Sequence, residues 1–324
     1  MTLSVLSSYP AVAAERDSWI LARRGERNEV DPFRPYAFQV EDEQSAFGDV
    51  VPVATVFLTN RECPWRCLMC DLWRNTLTES VPSGAIPRQI DYALQRLPPA
   101  REIKLYNSGS FFDARAIPAQ DHPAIAERVA GFERVIVECH PALVGHACYR
   151  FRDRLIGRLE VAMGLETVHP ETLERLNKRM TTQQFKAAAH RLRERDIDLR
   201  VFILVKPPFM KEENALEWAV RSMVFAFDCG ATAVTLIPTR GGNGAMEELE
   251  AAGKFSRPAL GTLEAAAACG IALHRGRVFA DLWDIHAKPR CPTCHGERIA
   301  RLREMNLRQS IPAPIACERC GEKC

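Results

Sequence analysis

The sequence has no apolar run of roughly 18 residues, so no segment is a candidate membrane-spanning helix. Its first residues lack the basic start and apolar stretch of a secretory leader. A cytoplasmic protein with no membrane partner is therefore expected. There is no internal repeat and no low-complexity segment. Charge of either sign is not in excess: the net charge is +2, which neither demands nor excludes a nucleic acid. His140, His146, His169 and His190 lack the spacing of a metal site or a catalytic pair, and none is given a role. With 47% hydrophobic and 26% charged residues over 324 positions, the composition is that of an ordinary globular chain.

Cysteine is plentiful, with 12 in the chain. Eight fall in two tight groups, and Cys139, Cys148, Cys229 and Cys269 are scattered. Clustered cysteines in a cytosolic chain point to metal rather than disulfides. The scattered ones read as small core hydrophobes.

The first group is Cys63, Cys67 and Cys70, spaced C-x3-C-x2-C in NRECPWRCLMCDLW (60–73). It follows an apolar run, VATVFL (53–58), that reads as a buried strand, so the three thiols lie in a loop. A 4Fe–4S cluster held wholly by protein takes four cysteines. Three leave one iron open to a small chelating molecule, and the amino and carboxylate groups of S-adenosylmethionine suit that position. An electron from the cluster then releases a 5′-deoxyadenosyl radical, chemistry that belongs to the cofactor. A zinc site or three unrelated buried thiols are the competing readings.

From about residue 50, strands and amphipathic helices alternate. Strands are predicted at 53–58, 103–107, 134–138, 158–166, 198–206 and 231–238, with 271–276 as a further candidate. Helices are predicted at 85–97, 119–131, 182–195, 215–228 and 257–269. Continuous apolar strands separated by amphipathic helices indicate a parallel sheet covered by helices. The fold class is α/β, a partial (β/α)6 TIM-like barrel over residues 49–286. An N-terminal extension (1–48) precedes it, with a short helix in 16–27 that ends near Gly25 and then an extended segment over 31–43 laid on the main domain, and a small Cys-rich metal-binding tail (287–324) follows. Arg23, Arg24 and Arg27 read as a solvated helix end or, less simply, as phosphate contacts.

Chemistry in such barrels sits at the C-terminal strand ends. The second strand ends in Asn107, Ser108, Gly109 and Ser110, small residues that let a ligand approach the backbone. The next two end at Glu138 and Glu166, carboxylates able to hold ribose hydroxyls or a basic group, or simply to close the barrel top with a salt bridge. Lys206 ends the fifth and can pair with a carboxylate or bind substrate. A glycine-rich loop, 238–244, follows the sixth and is weak evidence alone.

The tail carries Cys291 and Cys294, then 22 residues, then Cys317, Cys320 and Cys324. Two C-x2-C knuckles suit a structural zinc ion. The intervening ERIARLREMNLRQ is helical in pattern rather than a hairpin, and the fifth cysteine is surplus to zinc, so an auxiliary 4Fe–4S cluster stays open. Between 288 and 308 lie six Lys or Arg against two Glu, a modestly basic surface compatible with RNA.

The cysteine loop resembles the signature of the radical S-adenosylmethionine superfamily, with Met69 where many members have an aromatic residue beside the adenine. Within it, the C-x-Met-C loop end, KLYNSGSFFD with Ile117-Pro118, the Glu138 strand end and GLET resemble the branch of the archaeosine synthase radical subunit and the Elongator catalytic subunit. The resemblance covers about residues 55–170. It implies the partial barrel, a 4Fe–4S cluster on Cys63, Cys67 and Cys70, and S-adenosylmethionine amino-group contacts at Asn107–Ser110. It also implies a cavity role for Glu138 and Glu166, a reductant such as ferredoxin or flavodoxin, and a transfer-RNA substrate whose 7-deazaguanine undergoes C–N cleavage. Two other functions remain open: radical chemistry on a small metabolite or peptide, such as sulfur insertion, and a metal-bearing binding protein without turnover.

Overall fold

The structure, a computed structural model, describes residues 8–285 and 291–320. The expected tail ligand Cys324 and the expected boundary at 286/287 lie outside the described residues.

The chain runs α1 (Ala13–Leu21), β1 (Ala37–Gln44), β2 (Val50–Phe57), α2 (Ala85–Leu94), β3 (Glu102–Tyr106), α3 (His122–Arg128) and β4 (Arg134–Glu138). It continues through α4 (His146–Arg152), β5 (Arg158–Glu166), α5 (Pro170–Arg175), α6 (Thr182–Arg193), β6 (Asp198–Val205) and α7 (Glu212–Asp228). β7 (Ala233–Pro238), α8 (Ala245–Ala251), α9 (Leu260–Ala272), β8 (Arg277–Ala280) and α10 (His295–Arg308) complete it. The eight strands form one sheet in sequence order. β2 to β8 are parallel and β1 runs antiparallel to β2, pairing Ala37 with Phe57. This is a curled half-barrel containing the six expected units and two further strands. The extended segment expected within the N-terminal extension is β1, hydrogen-bonded into the sheet.

Two sequence expectations need correction. Residues 271–276 are not a strand: Ile271 and Ala272 finish α9, whose alanine-rich pattern extends past Cys269, and the strand follows at Arg277. The first helix ends at Leu21, not near Gly25, and the arginines beyond it turn away into ion pairs.

Alternation along the strands divides the sheet's two faces. Ile103, Leu105, Val135, Val137, Val161, Met163, Val201 and Ile203 face the helices and form the main core. Their neighbours in sequence line the other face, and toward the strand N-termini these are charged. Glu160 is sealed from solvent and accepts from Arg200 Nε at 2.6 Å and Arg277 Nη2 at 2.9 Å, while Arg200 also reaches Glu43 Oε1 at 2.5 Å. Lys104 pairs with the same Glu43. Burial works against the Glu160 carboxylate, but Arg200, Arg277 and Arg134 prevail and bring it down to about 2. Above this ionic floor, Phe57, Tyr106 and Phe202 form an aromatic layer with centroids 6.3 and 6.2 Å apart.

Among the described residues, no strand pairs with β8 on its outer side, which leaves one edge of the sheet open. α10 covers it. Asn306 accepts from Ala280 N at 2.7 Å and donates to Ala280 O at 2.9 Å, and Gln309 does the same for Val278 at 2.6 and 2.8 Å. Two side-chain carboxamides thus stand in for the missing strand. α10 is fixed to α9 by Arg298 and Arg301, both buried, on the two oxygens of Glu264.

Candidate active site

The loop between β2 and α2 has little regular structure beyond a single 3-10 turn, Leu72–Asn75, so its shape depends on anchors from elsewhere. Glu62, next to Cys63, receives Arg24 at 2.6 Å, Arg66 at 3.1 Å and also Arg27. Arg24 and Arg27 are therefore structural ties, neither a solvated helix end nor free for phosphate. Arg23 likewise binds Glu248 at 2.6 Å and lies over Trp19. Leu68 N donates to Leu176 O at 2.9 Å, and Asn177 Nδ2 donates to Arg66 O at 2.8 Å. From the glycine-rich loop after β7, Asn243 Nδ2 donates to Leu68 O at 2.7 Å and Cys70 O at 3.2 Å. In that loop Arg240 also stands 3.7 Å from Asp71 and 3.6 Å from Asp281. Met69 packs beside a small core built from Trp19, Ile20, Leu68 and α8.

These anchors place Cys63, Cys67 and Cys70 together at the C-terminal end of the sheet. Burial pushes each thiol up to about 12. Thiolates are the metal-binding form, so this pocket favours ionised sulfur only when a positive centre accompanies it. Lys178 supplies part of that charge, drawing Cys67 and Cys63 down against the burial effect. Among the described residues these three sulfurs do not form a set lying mutually within 4.8 Å. Sulfurs on one tetrahedral zinc stand about 3.8 Å apart at a bond length of about 2.3 Å. The wider arrangement fits a centre of several irons better than a single ion.

The strand ends close around the loop. A Cβ built on Gly109 would sit 3.3 Å from Cys63 Cβ, so the turn after β3 rests directly on Cys63. Glu138 accepts from the main-chain N–H of Asn107 at 2.8 Å and Ser108 at 3.0 Å. Burial nonetheless raises its carboxyl to about 7. Ser110 Oγ is used by His140 N, and Ser108 Oγ meets the Tyr36 hydroxyl at 3.2 Å. Asn107 differs from both: it is fully buried, and neither side-chain nitrogen nor oxygen has a partner. An orphaned buried carboxamide, in the turn that rests on one of three half-buried thiols, is what a polar ligand at this position would satisfy, so the residues present fit a cluster with a chelated small molecule.

Glu166 forms a buried ion pair with Lys178, Oε1 to Nζ 2.5 Å. Glu138 and Glu166 therefore differ: one carboxylate is held by backbone, the other is neutralised. Burial opposes the Lys178 charge, but Glu166 and then Cys67 hold its pKa above the ordinary value. Lys206 takes the carboxylate-pairing alternative, with Glu212 at 3.1 Å and Ser256 O at 2.9 Å. Lys178, Asn177 and Asn243 were not singled out from sequence. Each acts through a contact with a distant segment and has no periodic or motif signal. His140 stacks on Trp65 at 3.8 Å and is pulled down to about 4, first by burial and then by Lys178.

In the tail, Cys291, Cys294, Cys317 and Cys320 bring their sulfurs within 4.8 Å of one another and could hold a metal ion. Beside them, a cavity of about 280 Å³ is lined by Cys291, His295, Arg240, Arg257 and Trp283, which joins the tail to the strand-end loops.

No family model matches the chain. Over 183 residues it is 27% identical to archaeosine synthase subunit beta of Methanosarcina acetivorans, covering 52% of each protein. Over that stretch the chain is similar to proteins named archaeosine synthase subunit beta. An uncharacterized protein of Methanocaldococcus jannaschii is 23% identical over 237 residues, 68% of this chain and 65% of that one. The archaeal Elp3 of Methanocaldococcus infernus superposes with a TM-score of 0.49 at 12% identity, over 68% of this chain and 59% of its own. The chain spans between about half and two thirds of the length of the curated relatives it matches. No helix among the described residues is long and apolar enough to cross a membrane.

Proposed function

We propose that this protein is a radical S-adenosylmethionine enzyme that modifies a base in transfer RNA. The observation that carries the first part is the unpartnered, buried Asn107 carboxamide in the turn that rests on Cys63. Cys63, Cys67 and Cys70 would hold a 4Fe–4S cluster, which when bound with S-adenosylmethionine supplies a 5′-deoxyadenosyl radical. The chain's own residues position and shield. Asn107 Oδ1 would accept from the amino group of the cofactor, with the turn through Ser108, Gly109 and Ser110 carrying that carboxamide. Glu138, fixed by backbone N–H groups, would receive a ribose hydroxyl. Lys178 offsets the charge of the thiolates while its pair, Glu166, keeps it in place. The aromatic layer below excludes water from the cleft.

The second part rests on likeness to proteins named archaeosine synthase subunit beta. A lysine-bearing 7-deazaguanine undergoing C–N cleavage is the corresponding substrate, with a ferredoxin or flavodoxin as electron donor and a cytoplasmic setting.

The test is an anaerobic count of iron and sulfide with 5′-deoxyadenosine measured under reducing conditions, in the wild type and in Cys67→Ala. Iron and cleavage should both vanish in the variant. Wild-type cleavage in Cys67→Ala would sink the assignment. Transfer-RNA binding that weakens steeply with salt supports the substrate class, and salt-independent turnover on a small metabolite counts against it.

A further inference from the structure

We infer that Cys291, Cys294, Cys317 and Cys320 bind one structural zinc ion, and that this ion clamps α10 onto the open edge of the half-barrel. The inference does not depend on the activity proposed above.

The geometry distinguishes the two metals left open by the sequence. Cys291 and Cys317 have their sulfurs 3.9 Å apart, and Cys294 and Cys320 have theirs 3.8 Å apart. Four sulfurs on a tetrahedral zinc stand about 3.8 Å from one another. A 4Fe–4S cluster binds each thiolate to a different iron, which spreads the sulfurs around a body much larger than one ion. The tail sulfurs converge as they would on a single ion, and those of Cys63, Cys67 and Cys70 do not. Four thiolates without an open position make a closed, structural site.

The position of the site gives its role. Cys294 is the N-cap residue of α10, and Cys291 lies one turn before it, with His295 N donating to Cys291 O at 3.2 Å. After α10 the chain doubles back, and the returning segment is held by arginines of that helix. Arg301 Nε donates to Pro312 O and Ala313 O, each at 3.1 Å, and Arg298 reaches Ile315 O at 3.4 Å. The second knuckle, Cys317 and Cys320, thus returns to the helix N-terminus. Metal binding there closes a loop around α10, whose other end carries the Asn306 and Gln309 contacts to β8. A closed loop restricts the unfolded chain and so favours the docked state.

The experiment uses the full chain in three forms: wild type, Cys63→Ala/Cys67→Ala/Cys70→Ala, and Cys317→Ser/Cys320→Ser. Zinc, iron and sulfide are counted in each. About one zinc per chain, the stoichiometry of a closed four-thiolate site, is expected in the first two forms and none in the third. Iron should follow only the barrel cysteines, so loss of the radical-enzyme reading leaves this result intact. Cobalt loaded into the barrel-triple variant should give the visible bands of a tetrahedral tetrathiolate ion, a readout that needs no folding of the tail variant. Chelation of the metal should open the 309–316 segment to limited proteolysis. Iron and sulfide lost with Cys317 and Cys320 would overturn the zinc assignment, as would a tail that binds neither zinc nor cobalt. Unchanged proteolysis after the zinc is removed would overturn the clamp.

Discussion

Asn243 donates from its side-chain nitrogen to the main-chain oxygens of Leu68 and Cys70, so the loop after β7 fixes the two residues that flank Met69. Its oxygen meanwhile accepts from Met246 N and caps α8. Asn243→Ala should cost about 1–3 kcal/mol, the range for leaving buried backbone acceptors unpaired. Its main effect is expected on the cysteine loop, with less iron retained after anaerobic gel filtration. Asn243→Asp keeps the cap and loses both donations. Its buried carboxylate would face the Leu68 and Cys70 carbonyl oxygens, so it should lose at least as much iron and stability as Asn243→Ala; equal iron retention in wild type and both variants would show that the loop is held without Asn243.

Gly164 in β5 leaves room for the ion pair beside the cysteine loop. A Cβ there would stand 2.2 Å from Glu166 Oε1 and 2.4 Å from Lys178 Nζ. Gly164→Ala should force the pair apart. Lys178→Met removes its cation, and leaving a buried carboxylate alone costs about 3–5 kcal/mol. Both variants should lower the denaturant midpoint and slow S-adenosylmethionine cleavage. A Lys178→Met protein as stable as wild type would mean that Glu166 is not held as a charge.

Gly244 has φ near +85°, and a Cβ on it would lie 1.8 Å from Arg23 O. Gly244→Ala therefore meets backbone, not a movable side-chain end, on top of a left-handed strain of about 1–3 kcal/mol. The expected outcome is displacement of the segment after α1, seen as new protease cleavage between residues 22 and 30. Arg24 and Arg27 would then lose Glu62, and iron content should fall with them.

The ionic floor gives a pH dependence of definite sign. Glu160 is held near 2, below its ordinary value of 4.5. A carboxylate depressed by folding stabilises above its unfolded pKa, and that contribution is lost as pH falls from about 4.5 through 2. The shift corresponds to on the order of 3 kcal/mol. Glu160→Gln should be much less stable than wild type at pH 6, and the gap should narrow steadily below pH 4.5 in urea titrations. A gap that stays constant down to pH 2.5 would place the effect in packing instead of charge.

The sequence made the parallel strands legible because each is continuous and apolar, and the cysteine loop because its spacing carries its chemistry. The antiparallel β1 was visible only as an extended stretch, since nothing local specifies which edge it joins. β8 has four residues, too few for a period to declare itself, and the alanines of α9 run close enough to it to mask the boundary. Within the candidate site, Cys63 and Gly109 could be picked out individually but not as neighbours. Lys178 and Asn243 were invisible for a related reason: a lone polar residue gains its role from what the fold sets opposite it. The sequence put zinc only slightly ahead of a second cluster in the tail, because spacing does not report how far apart the sulfurs end up.

The carboxamides of Asn306 and Gln309 carry a further consequence. A parallel sheet that stops without closing is an invitation to another chain, since its last strand offers hydrogen bonds to any extended peptide that passes. Here two side chains answer that offer from within the same molecule. Shortening the protein before α10 would bare this rim, across which Arg277 of β8 already reaches Gln44 O of β1 at 3.1 Å. The tail thereby covers backbone groups of β8 that would otherwise face solvent.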